Sequence, residues 1–302
     1  MNKIDPVFCS ILIVNFNGGN MVKNCVRLAL MSSIPVEVMV WDNASEDGSP
    51  DVLSETFVGE PRFALFRSQK NIGFAAGVNR LISNVSGETV LLLNPDCLVR
   101  PDTIARVLKA LKKKPEAGMA GCLICNPDGS EQAGCRRRVP TPWRSLVRVL
   151  HLDKVFTGHP RFQGLSLSTT PLPNHPVEME AISGAFMLVT RKALQDVGSL
   201  DDQYFMHCED LDWCMRFRQK GWQILFVPNA SAIHHQGYCS ISRPIAVELY
   251  KHKGMLRFYN KFFHHQYPGL LMWLVKASVW IRFGLVALYR LAGRKRKDSE
   301  RA

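Results

Sequence analysis

The sequence predicts an α/β fold: a Rossmann-like, mostly parallel sheet flanked by helices and followed by a basic amphipathic helical tail. In the first half, apolar β-branched runs alternate with segments of helical periodicity, as in a parallel sheet with helices on its faces. Polar clusters directly follow the predicted strands, where open α/β sheets bind ligands. The 302 residues, 46% hydrophobic and 21% charged, are sufficient to bury a core.

The first half of the chain contains four predicted strands and four predicted helices. Its first apolar run ends in an Asn-Phe-Asn-Gly-Gly turn signal, which indicates a buried strand leading into a loop. Three lysines before Pro115 are typical of a helix C-terminus. The predicted strands are 8–16, 36–41, 63–67 and 89–93, and the predicted helices are 21–31, 51–56, 77–85 and 103–113.

The second half begins with a loop-rich basic segment, residues 126–176, that contains Arg136, Arg137 and Arg138. Strand and small-residue character returns at 177–190. A helix is then predicted at 210–218 and a strand at 223–227, and residues 232–235 follow that strand.

The net charge of +12 is compatible with nucleic acid, an anionic membrane surface or phosphate-bearing small molecules as partners. The sequence lacks zinc-finger spacing, a helix-turn-helix signal and an aromatic RNA-binding strand, which disfavours nucleic acid. No Gly-x-Gly-x-x-Gly opens the first helix and no Gly-Lys-Ser/Thr loop occurs, so dehydrogenase and P-loop functions lose their main support.

The N-terminus and the cysteines indicate a cytosolic setting. Residues 1–10 lack the plan of a signal peptide. Nine scattered cysteines suit reduced thiols, and Cys122 and Cys125 are expected to be buried structural thiols in an apolar run.

Two aspartates at strand ends have both a ligand-binding and a local structural interpretation. Asp96 follows Asn94 and the rigid Pro95, where its carboxylate can bind a hard cation that neutralises a diphosphate. A turn or capping role is the alternative. Asp42 can accept the imide N–H of a pyrimidine base or close an Asx-turn, and the two roles are compatible.

Three further motifs carry the same ambiguity. Residues 71–79 place amides and small side chains at a helix start, which allows a ligand to approach the backbone. Glu209, Asp210 and Asp212 either supply a base that deprotonates an attacking hydroxyl or stabilise the first helical turn by ~0.3–1 kcal/mol. His234 either completes a metal site or is a satisfied polar residue.

Taken in order, these motifs resemble glycosyltransferase family 2, and within it the rhamnosyltransferase-like branch. Each segment alone is unspecific, whereas the ordered set is specific and spans roughly the first four-fifths of the chain. The matching segments are 13–17 (Ile-Val-Asn-Phe-Asn), 42–49 (Asp-Asn-Ala-Ser-Glu-Asp-Gly-Ser), 71–79, 91–96 (Leu-Leu-Leu-Asn-Pro-Asp), 183–185 (Ser-Gly-Ala) and 209–214 (Glu-Asp-Leu-Asp-Trp-Cys), followed by His234.

The resemblance implies a GT-A catalytic domain at 1–249, with a nucleotide-sugar half at about 1–125 and an acceptor half at 126–249. It implies a metal-dependent inverting hexosyltransferase in which Asp210, grouped with Glu209, is the catalytic base. Asp96 would hold Mg²⁺ or Mn²⁺, with His234, or alternatively His235, as a further ligand. The residues assigned to donor binding are Asn15, Asn17, Asp42, Asn43, Asn71, Gly73, Asn79, Asn94, Asp96 and Gly184.

Asn94 replaces the first carboxylate of the family's Asp-x-Asp motif, which marks the branch and leaves the metal with fewer protein ligands. The branch implies a dTDP- or UDP-sugar donor, and within that class we expect dTDP-rhamnose. The implied acceptor is a saccharide or lipid-linked saccharide in cell-surface polysaccharide synthesis. The alternatives are a catalytically silent sugar-nucleotide-binding member, a nucleotidyltransferase or a basic nucleic-acid-binding protein.

Residues 250–302 form the predicted basic tail. The aromatic residues Phe258, Tyr259, Phe262 and Phe263 share one helical stripe with Met255, and residues 270–292 are long enough to span a bilayer. Charges inside that segment and the basic run 294–297 oppose a single span. We therefore expect an interfacial helix on the cytoplasmic face of the inner membrane, or a helix packed on the catalytic domain or in a dimer.

A membrane-associated enzyme would bring Arg136, Arg137 and Arg138 towards the phosphates of a lipid-linked acceptor. The plainer expectation for these arginines is a solvated loop.

Overall fold

The computed structural model describes residues 9–156, 159–162, 164–238 and 244–299. The expectation for the N-terminus, residues 1–10, therefore falls almost wholly outside the described residues. Contacts divide the chain into two compact units: Met1–Val139, Ser166–Gln203 and Glu209–Cys239 form the first, and Pro140–Leu165, Tyr204–Cys208 and Ser240–Ala302 form the second. The predicted domain boundary at 249/250 stays a prediction, because a grouping by contacts does not show where an independently folding domain ends.

The first unit is built on a nine-stranded sheet with the strand order β3-β2-β1-β4-β10-β6-β11-β5 and with β8 paired to β11. Its strands are β1 (Cys9–Asn15), β2 (Val36–Asp42), β3 (Phe63–Arg67), β4 (Thr89–Leu93), β5 (Cys97–Val99), β6 (Ala117–Cys125), β8 (Val177–Glu178), β10 (Phe186–Thr190) and β11 (Gln223–His234). A separate two-stranded sheet pairs β7 (Arg136–Arg137) with β9 (Ala181–Ile182). The helices of this unit are α1 (Gly19–Leu30), α2 (Ser49–Thr56), α3 (Phe74–Ile82), α4 (Thr103–Lys112), α7 (Arg191–Val197) and α8 (Glu209–Gln219).

The sheet is parallel from β3 through β4 and mixed beyond it. Strand β10 runs antiparallel to both β4 and β6, whereas β11 runs parallel to β6. Phe186 at the start of β10 therefore pairs with Leu93 at the end of β4, and His234 at the end of β11 pairs with Cys97. One edge of the sheet thus collects 94–96, 183–185 and His234. The predicted α/β class, a central sheet flanked by helices, is confirmed.

The predicted elements of the first half are all observed, and their ends agree to within three residues; the strands 63–67 and 89–93 match without a shift. Strand β6 was not predicted, because its Ala-Gly-Met-Ala-Gly-Cys sequence lacks β-branched residues. Its glycines are needed for packing: a Cβ on Gly118 would lie 2.6 Å from Ala193 Cβ, and one on Gly121 would lie 2.9 Å from Ile182 Cδ1. Within β6, Cys122 is buried as expected and Cys125 is partly buried.

The second unit contains α5 (Pro142–Val149), α6 (Leu152–Val155), α9 (Pro244–Phe263) and α10 (Gly269–Ser299). Helix α5 lies inside the segment predicted to be loop-rich. It begins where the Thr141 hydroxyl accepts a hydrogen bond from the Arg144 N–H, and Pro142 occupies the first turn. The predicted aromatic stripe of α9 is buried, and the Tyr259 hydroxyl lies 2.6 Å from Ser145 Oγ on α5.

Helix α10 packs on α9 through a narrow buried face formed by Met272, Val275 and Val279. Two cations of this helix also face α9. Arg290 donates to Glu248 Oε1 at 3.1 Å, and Arg282 Nη1 lies 3.4 Å from His252 Nε2.

The opposite face of α10 is apolar and exposed. Among the described residues one helix, Gly269–Leu291, has the length and composition of a membrane span, a property that buried helices of soluble proteins can share. The basic run 294–297 lies outside the residues whose side chains the structure describes. The exposed apolar residues of this helix include Leu270, Trp273, Leu274, Ile281, Leu285 and Leu288.

Candidate active site

Asp96 and His234 form the first part of the site, at the carboxyl edge of the sheet. Both side chains are buried, and His234 Nε2 lies 3.1 Å from Asp96 Oδ1. The other ring nitrogen, Nδ1, lies 2.7 Å from Gln132 Oε1. Gln132 is itself oriented, because its Nε2 donates to Asn126 Oδ1 at 2.9 Å and to the His234 carbonyl at 3.1 Å.

This hydrogen-bond chain determines where the neutral imidazole carries its proton. Gln132 uses its nitrogen as a donor elsewhere, so its oxygen accepts, and Nδ1 of His234 must donate. Nε2 of the neutral ring then presents a lone pair to the lone pairs of the Asp96 carboxylate. Two acceptors at 3.1 Å repel unless a proton or a metal cation lies between or beside them.

Asp96 and His234 fit a divalent cation that completes its coordination from substrate. In the described part of the chain, no group of three His, Cys, Asp or Glu side chains could hold a metal ion. Mg²⁺ and Mn²⁺ are commonly held by one or two protein ligands together with substrate phosphates and water. Asn94 lies beside this pair, with Nδ2 3.4 Å from His234 Nε2. The alternative ligand His235 instead donates its backbone N–H to the Asp96 carbonyl.

Asp210 and Arg137 form the second part of the site. Asp210 lies in the first turn of α8, and its Oδ2 forms an ion pair with Arg137 Nη2, while Oδ1 accepts the Leu211 N–H at 2.8 Å. Arg137 lies on β7 and also donates to the Ile182 carbonyl of β9 at 3.3 Å. Both side chains are partly exposed, so a ligand can reach the pair.

Gly184 connects the two parts of the site. A Cβ there would lie 3.0 Å from both Cβ and Oδ2 of Asp210, so this loop passes very close to the carboxylate. The Asn94 N–H donates to the neighbouring Ala185 carbonyl at 3.0 Å. The 94–96 and 183–185 segments are thereby joined, with Asp210 against one and Asp96 on the other.

Glu209 differs from its neighbour Asp210 in being buried. Burial raises the pKa of Glu209 to about 8, and the negative charge of Asp210 adds to the shift. Its Oε2 is buried and has no hydrogen-bond partner within the described residues. Asp212, the third acid of the motif, is fully buried and pairs with Arg216 Nε at 2.7 Å, a structural contact inside α8.

The expectation of a solvated arginine loop is wrong for Arg136 and Arg137. Arg136 is buried and makes two hydrogen bonds of 2.8 Å to the Glu131 carboxylate. It also donates to the carbonyls of Thr170 and Pro171. Composition and loop character predicted solvation, whereas pairing with acids elsewhere in the chain holds these arginines in place.

A buried group of polar side chains, here called the amide cluster, joins the ends of β1 and β2. It consists of Asn15, Asp42, Ser45 and Ser49. Asn15 Nδ2 lies within hydrogen-bond distance of Asp42 Oδ1 (2.7 Å), Ser45 Oγ (3.1 Å) and Ser49 Oγ (2.9 Å). Asp42 also accepts from the Ser45 N–H and hydroxyl. The Asx-turn interpretation of Asp42 is thus present, and lone pairs of its carboxylate remain for a ligand.

The other assigned amides mainly hold loops together. Asn43 accepts from Trp41 Nε1 and donates to the Gly73 carbonyl, and Asn71 accepts from the Gly73 N–H. Gly73 has φ +90°, a left-handed value that favours glycine. Asn17 accepts from the Glu46 N–H at 2.8 Å. These contacts keep the loops after β1, β2 and β3 together at one edge.

Asn79 has a structural contact that its sequence context did not reveal. Its Nδ2 donates to the Leu200 carbonyl at 2.8 Å, and its Oδ1 accepts the Leu200 N–H at 3.0 Å. Both ends of the amide are used to hold the 200–203 loop on α3. The assignment of Asn79 to donor binding stays a prediction.

Sequence reasoning missed Gln132, and it considered Arg137 only as one of three arginines that could face acceptor phosphates. Gln132 lies in the loop after β6 and carried no motif. Arg137 had a signal, a run of three arginines, but the sequence did not show which of them meets an acid.

Comparison with known proteins identifies the family. The family model for glycosyl transferase family 2 matches residues 10–169, which is more than half of the chain and includes β1, β2 and Asp96. The chain belongs to glycosyltransferase family 2. The family assignment made from the ordered motifs is confirmed.

Relatives in this family include rhamnosyltransferases. The chain is 28% identical over 291 residues to N-acetylglucosaminyl-diphospho-decaprenol L-rhamnosyltransferase of Mycobacterium tuberculosis, covering 93% of this chain and 92% of the relative. It is 27% identical over 150 residues to rhamnosyltransferase WbbL of Escherichia coli, covering 48% of this chain and 52% of WbbL.

A solved structure supports the fold. Mannosyltransferase PcManGT from Pyrobaculum calidifontis, solved with GDP-Man and Mn²⁺, superposes with a TM-score of 0.58 at 17% identity, covering 96% of this chain and 77% of that one. This family 2 glycosyltransferase therefore has a GT-A-type α/β architecture.

Proposed function

We propose that this glycosyltransferase transfers a hexose, with inversion, from a nucleotide diphosphate donor to a saccharide or lipid-linked saccharide in cell-surface polysaccharide synthesis. The proposed donor is dTDP-rhamnose, with other dTDP- and UDP-sugars as the wider class. The rhamnosyltransferase names of the two relatives support the sugar. The decaprenol-linked substrate in the first of those names supports the acceptor class.

The proposal rests on two pairs of side chains that lie at one edge of the sheet: Asp96 with His234, and Asp210 with Arg137. Asp96 and His234 present oxygen and nitrogen lone pairs to one position, and Gln132 keeps the imidazole in the metal-binding tautomer. Asp210, a carboxylate that ligands can reach, lies against Gly184, beside the residue that hydrogen-bonds Asn94. A leaving-group site and a proton acceptor are both required for direct displacement at an anomeric carbon.

We assign Asp96 and His234 as ligands of Mg²⁺ or Mn²⁺, which, when bound, neutralises the donor diphosphate. Asp42 is assigned to the nucleobase, and the loops fixed by Asn15, Asn17, Asn43 and Gly73 shape its pocket. These contacts orient the donor so that the acceptor hydroxyl approaches the anomeric carbon opposite the diphosphate.

Asp210 rather than Glu209 is assigned as the base. The raised pKa of Glu209 means that its carboxyl is largely protonated at neutral pH, so it cannot take up a second proton. Asp210 takes the proton of the acceptor hydroxyl while that oxygen bonds to the anomeric carbon. Glu209 stays neutral and thereby adds no further negative charge directly beside Asp210.

The tail is proposed to lie on the cytoplasmic surface of the inner membrane. Arg282 and Arg290 face α9. The opposite, exposed face of α10 carries leucines with Trp273 and Ile281. An apolar face of this kind suits the headgroup–acyl boundary of a bilayer. Co-sedimentation with anionic vesicles tests this, and Ile281→Glu with Leu285→Glu should abolish it while leaving donor binding unchanged.

The proposed chemistry is tested by donor binding and hydrolysis across a panel of nucleotide sugars with Mn²⁺, Mg²⁺ or EDTA. Metal-dependent binding of one donor, lost in Asp96→Ala, is expected. Metal-dependent binding without turnover on any acceptor would favour a catalytically silent member. No binding of any donor, with or without metal, would refute the proposal.

A further inference from the structure

The contact between Arg137 and Asp210 places a cation on the group assigned as the base. Arg137 Nη2 pairs with Asp210 Oδ2, and the other carboxylate oxygen accepts the Leu211 N–H. A base that is ion-paired through one oxygen and hydrogen-bonded through the other is poorly prepared to take a proton. The arginine must therefore have a second function at this position, or it would only slow the reaction.

Arg137 differs from Arg136, the preceding residue on β7. Arg136 is buried and fixed by the Glu131 carboxylate and two carbonyls, so it anchors the strand. The Arg137 side chain is 24% exposed and the Asp210 side chain 17%, so both ends of their ion pair can be reached from solvent. Strand β7 thus carries one anchored arginine, Arg136, and one, Arg137, whose guanidinium can exchange its anionic partner.

The position of Arg137 indicates which anion it meets. A guanidinium touching the base lies next to the acceptor sugar, because the base must touch the acceptor hydroxyl. In a saccharide linked to a lipid through diphosphate, the phosphate lies one sugar ring away from the ring hydroxyls. Guanidinium and phosphate match in charge and in bidentate geometry.

We propose that Arg137 recognises a phosphate on the acceptor and, by moving to it, frees Asp210 to act as the base. The inference rests on the proposed transferase function and narrows its acceptor to a phosphate- or diphosphate-linked saccharide. Asp210 Oδ2 then takes the proton of the acceptor hydroxyl, the hydroxyl oxygen bonds to the anomeric carbon, and the nucleoside diphosphate leaves with the electron pair of the broken bond. Without the acceptor phosphate, the ion pair stays closed and the base is restrained.

The experiment uses the full-length protein and compares two acceptor substrates. One is N-acetylglucosamine linked through diphosphate to a short prenyl chain, and the other is the same sugar as a neutral alkyl glycoside. The wild type should favour the diphosphate acceptor in kcat/KM by about tenfold or more, the usual worth of a charged hydrogen bond. Arg137→Gln should lose this preference, mainly by losing activity on the diphosphate acceptor. Arg137→Lys, which keeps the charge but not the planar fork, should retain part of it.

Controls separate this role from folding and from donor binding. Arg106 is an exposed arginine on α4 that pairs with Asp102. The Arg106→Gln variant should retain the full preference for the diphosphate acceptor. Donor affinity and the melting temperature of Arg137→Gln should stay near wild type. If Arg137→Gln weakens donor binding instead, the arginine serves the donor diphosphate and the inference is wrong.

Two further outcomes would also overturn the inference: equal losses on both acceptors, which would make Arg137 only a support for Asp210, and donor binding without use of either acceptor. Failure of the wild type to bind any donor would instead refute the proposed function itself.

Discussion

Two polar regions at the same sheet edge use their buried groups in different ways. In the amide cluster, Asn15, Asp42, Ser45 and Ser49 satisfy one another, and Asn15 Oδ1 is the atom left without a partner within the described residues. The second region, the carboxylate cluster, consists of Asp96, His234, Glu209 and Asp210. In it Asp96 faces another acceptor in His234, and Glu209 has an oxygen without a partner among the described residues. The first arrangement holds loops, whereas in the second Asp96 and His234 direct two acceptors at a position that a proton or a cation can occupy.

This contrast predicts that changes in the carboxylate cluster reduce activity, whereas changes in the amide cluster reduce stability first. Natural sites commonly sacrifice stability where chemistry needs unpaired or strained groups. The following changes test the contrast in order of expected effect.

Asp210→Asn should lower kcat by about 10²- to 10⁴-fold, because the amide cannot accept the hydroxyl proton. Donor affinity should change little, since Asp210 is assigned to the acceptor hydroxyl and not to the donor. Steady-state kinetics with binding measured in parallel checks this. Asp202→Asn, which changes an exposed aspartate, is the control. If Asp210→Asn lowers kcat by less than threefold, Asp210 is not the base.

Gln132→Leu should weaken Mn²⁺ affinity by about 10- to 100-fold, because Nδ1 of His234 loses the acceptor that fixes its tautomer. Titration of Mn²⁺ in the presence of donor measures this directly. Gln132→Glu keeps the acceptor and should preserve binding far better. Equal affinities in the wild type and the leucine variant would show that His234 is not a ligand.

Asn15→Ala should lower the free energy of unfolding by about 1–3 kcal/mol, because it leaves buried hydroxyl and carboxylate groups of the amide cluster unsatisfied. Urea denaturation provides the measurement. Asn84→Ala, which removes exposed contacts to Arg80 and Ser83, should cost far less. A stable Asn15→Ala protein that has lost donor binding would reverse the assignment of this cluster.

Glu209→Gln should be more stable than the wild type at alkaline pH and close to it at acidic pH. The folded pKa of Glu209 is raised, so the folded state binds its proton more tightly than the unfolded chain does. Protonated Glu209 therefore contributes its full stabilisation at pH values below the pKa it has in the unfolded chain. As pH rises from there towards 8, the free energy of unfolding falls by at most about 1.4 kcal/mol per pH unit.

Denaturation of both proteins between pH 5 and pH 8.5 measures this difference. Parallel curves for the two proteins would mean that Glu209 is already ionised in the folded state.

The ordered motifs were sufficient to predict the family, the α/β class and the strand ends that carry Asp42 and Asp96, because local patterns of apolar residues and turn signals determine where strands stop. They could not locate β6, in which glycines serve packing against Ala193 and Ile182 rather than strand propensity. They also could not reveal the contacts of Asn79 with Leu200, because the two residues are far apart in sequence.

The sequence by itself determined which chemical groups the site contains: a strand-end aspartate, an acidic helix start, a histidine after the last strand and a run of arginines. The tertiary structure decided how those groups are paired. Gln132 orients His234 across 102 residues of chain, and Arg137 meets Asp210 across 73. Such pairs form only when segments distant in sequence come together in the fold, so their charges and hydrogen bonds are a property of the folded chain.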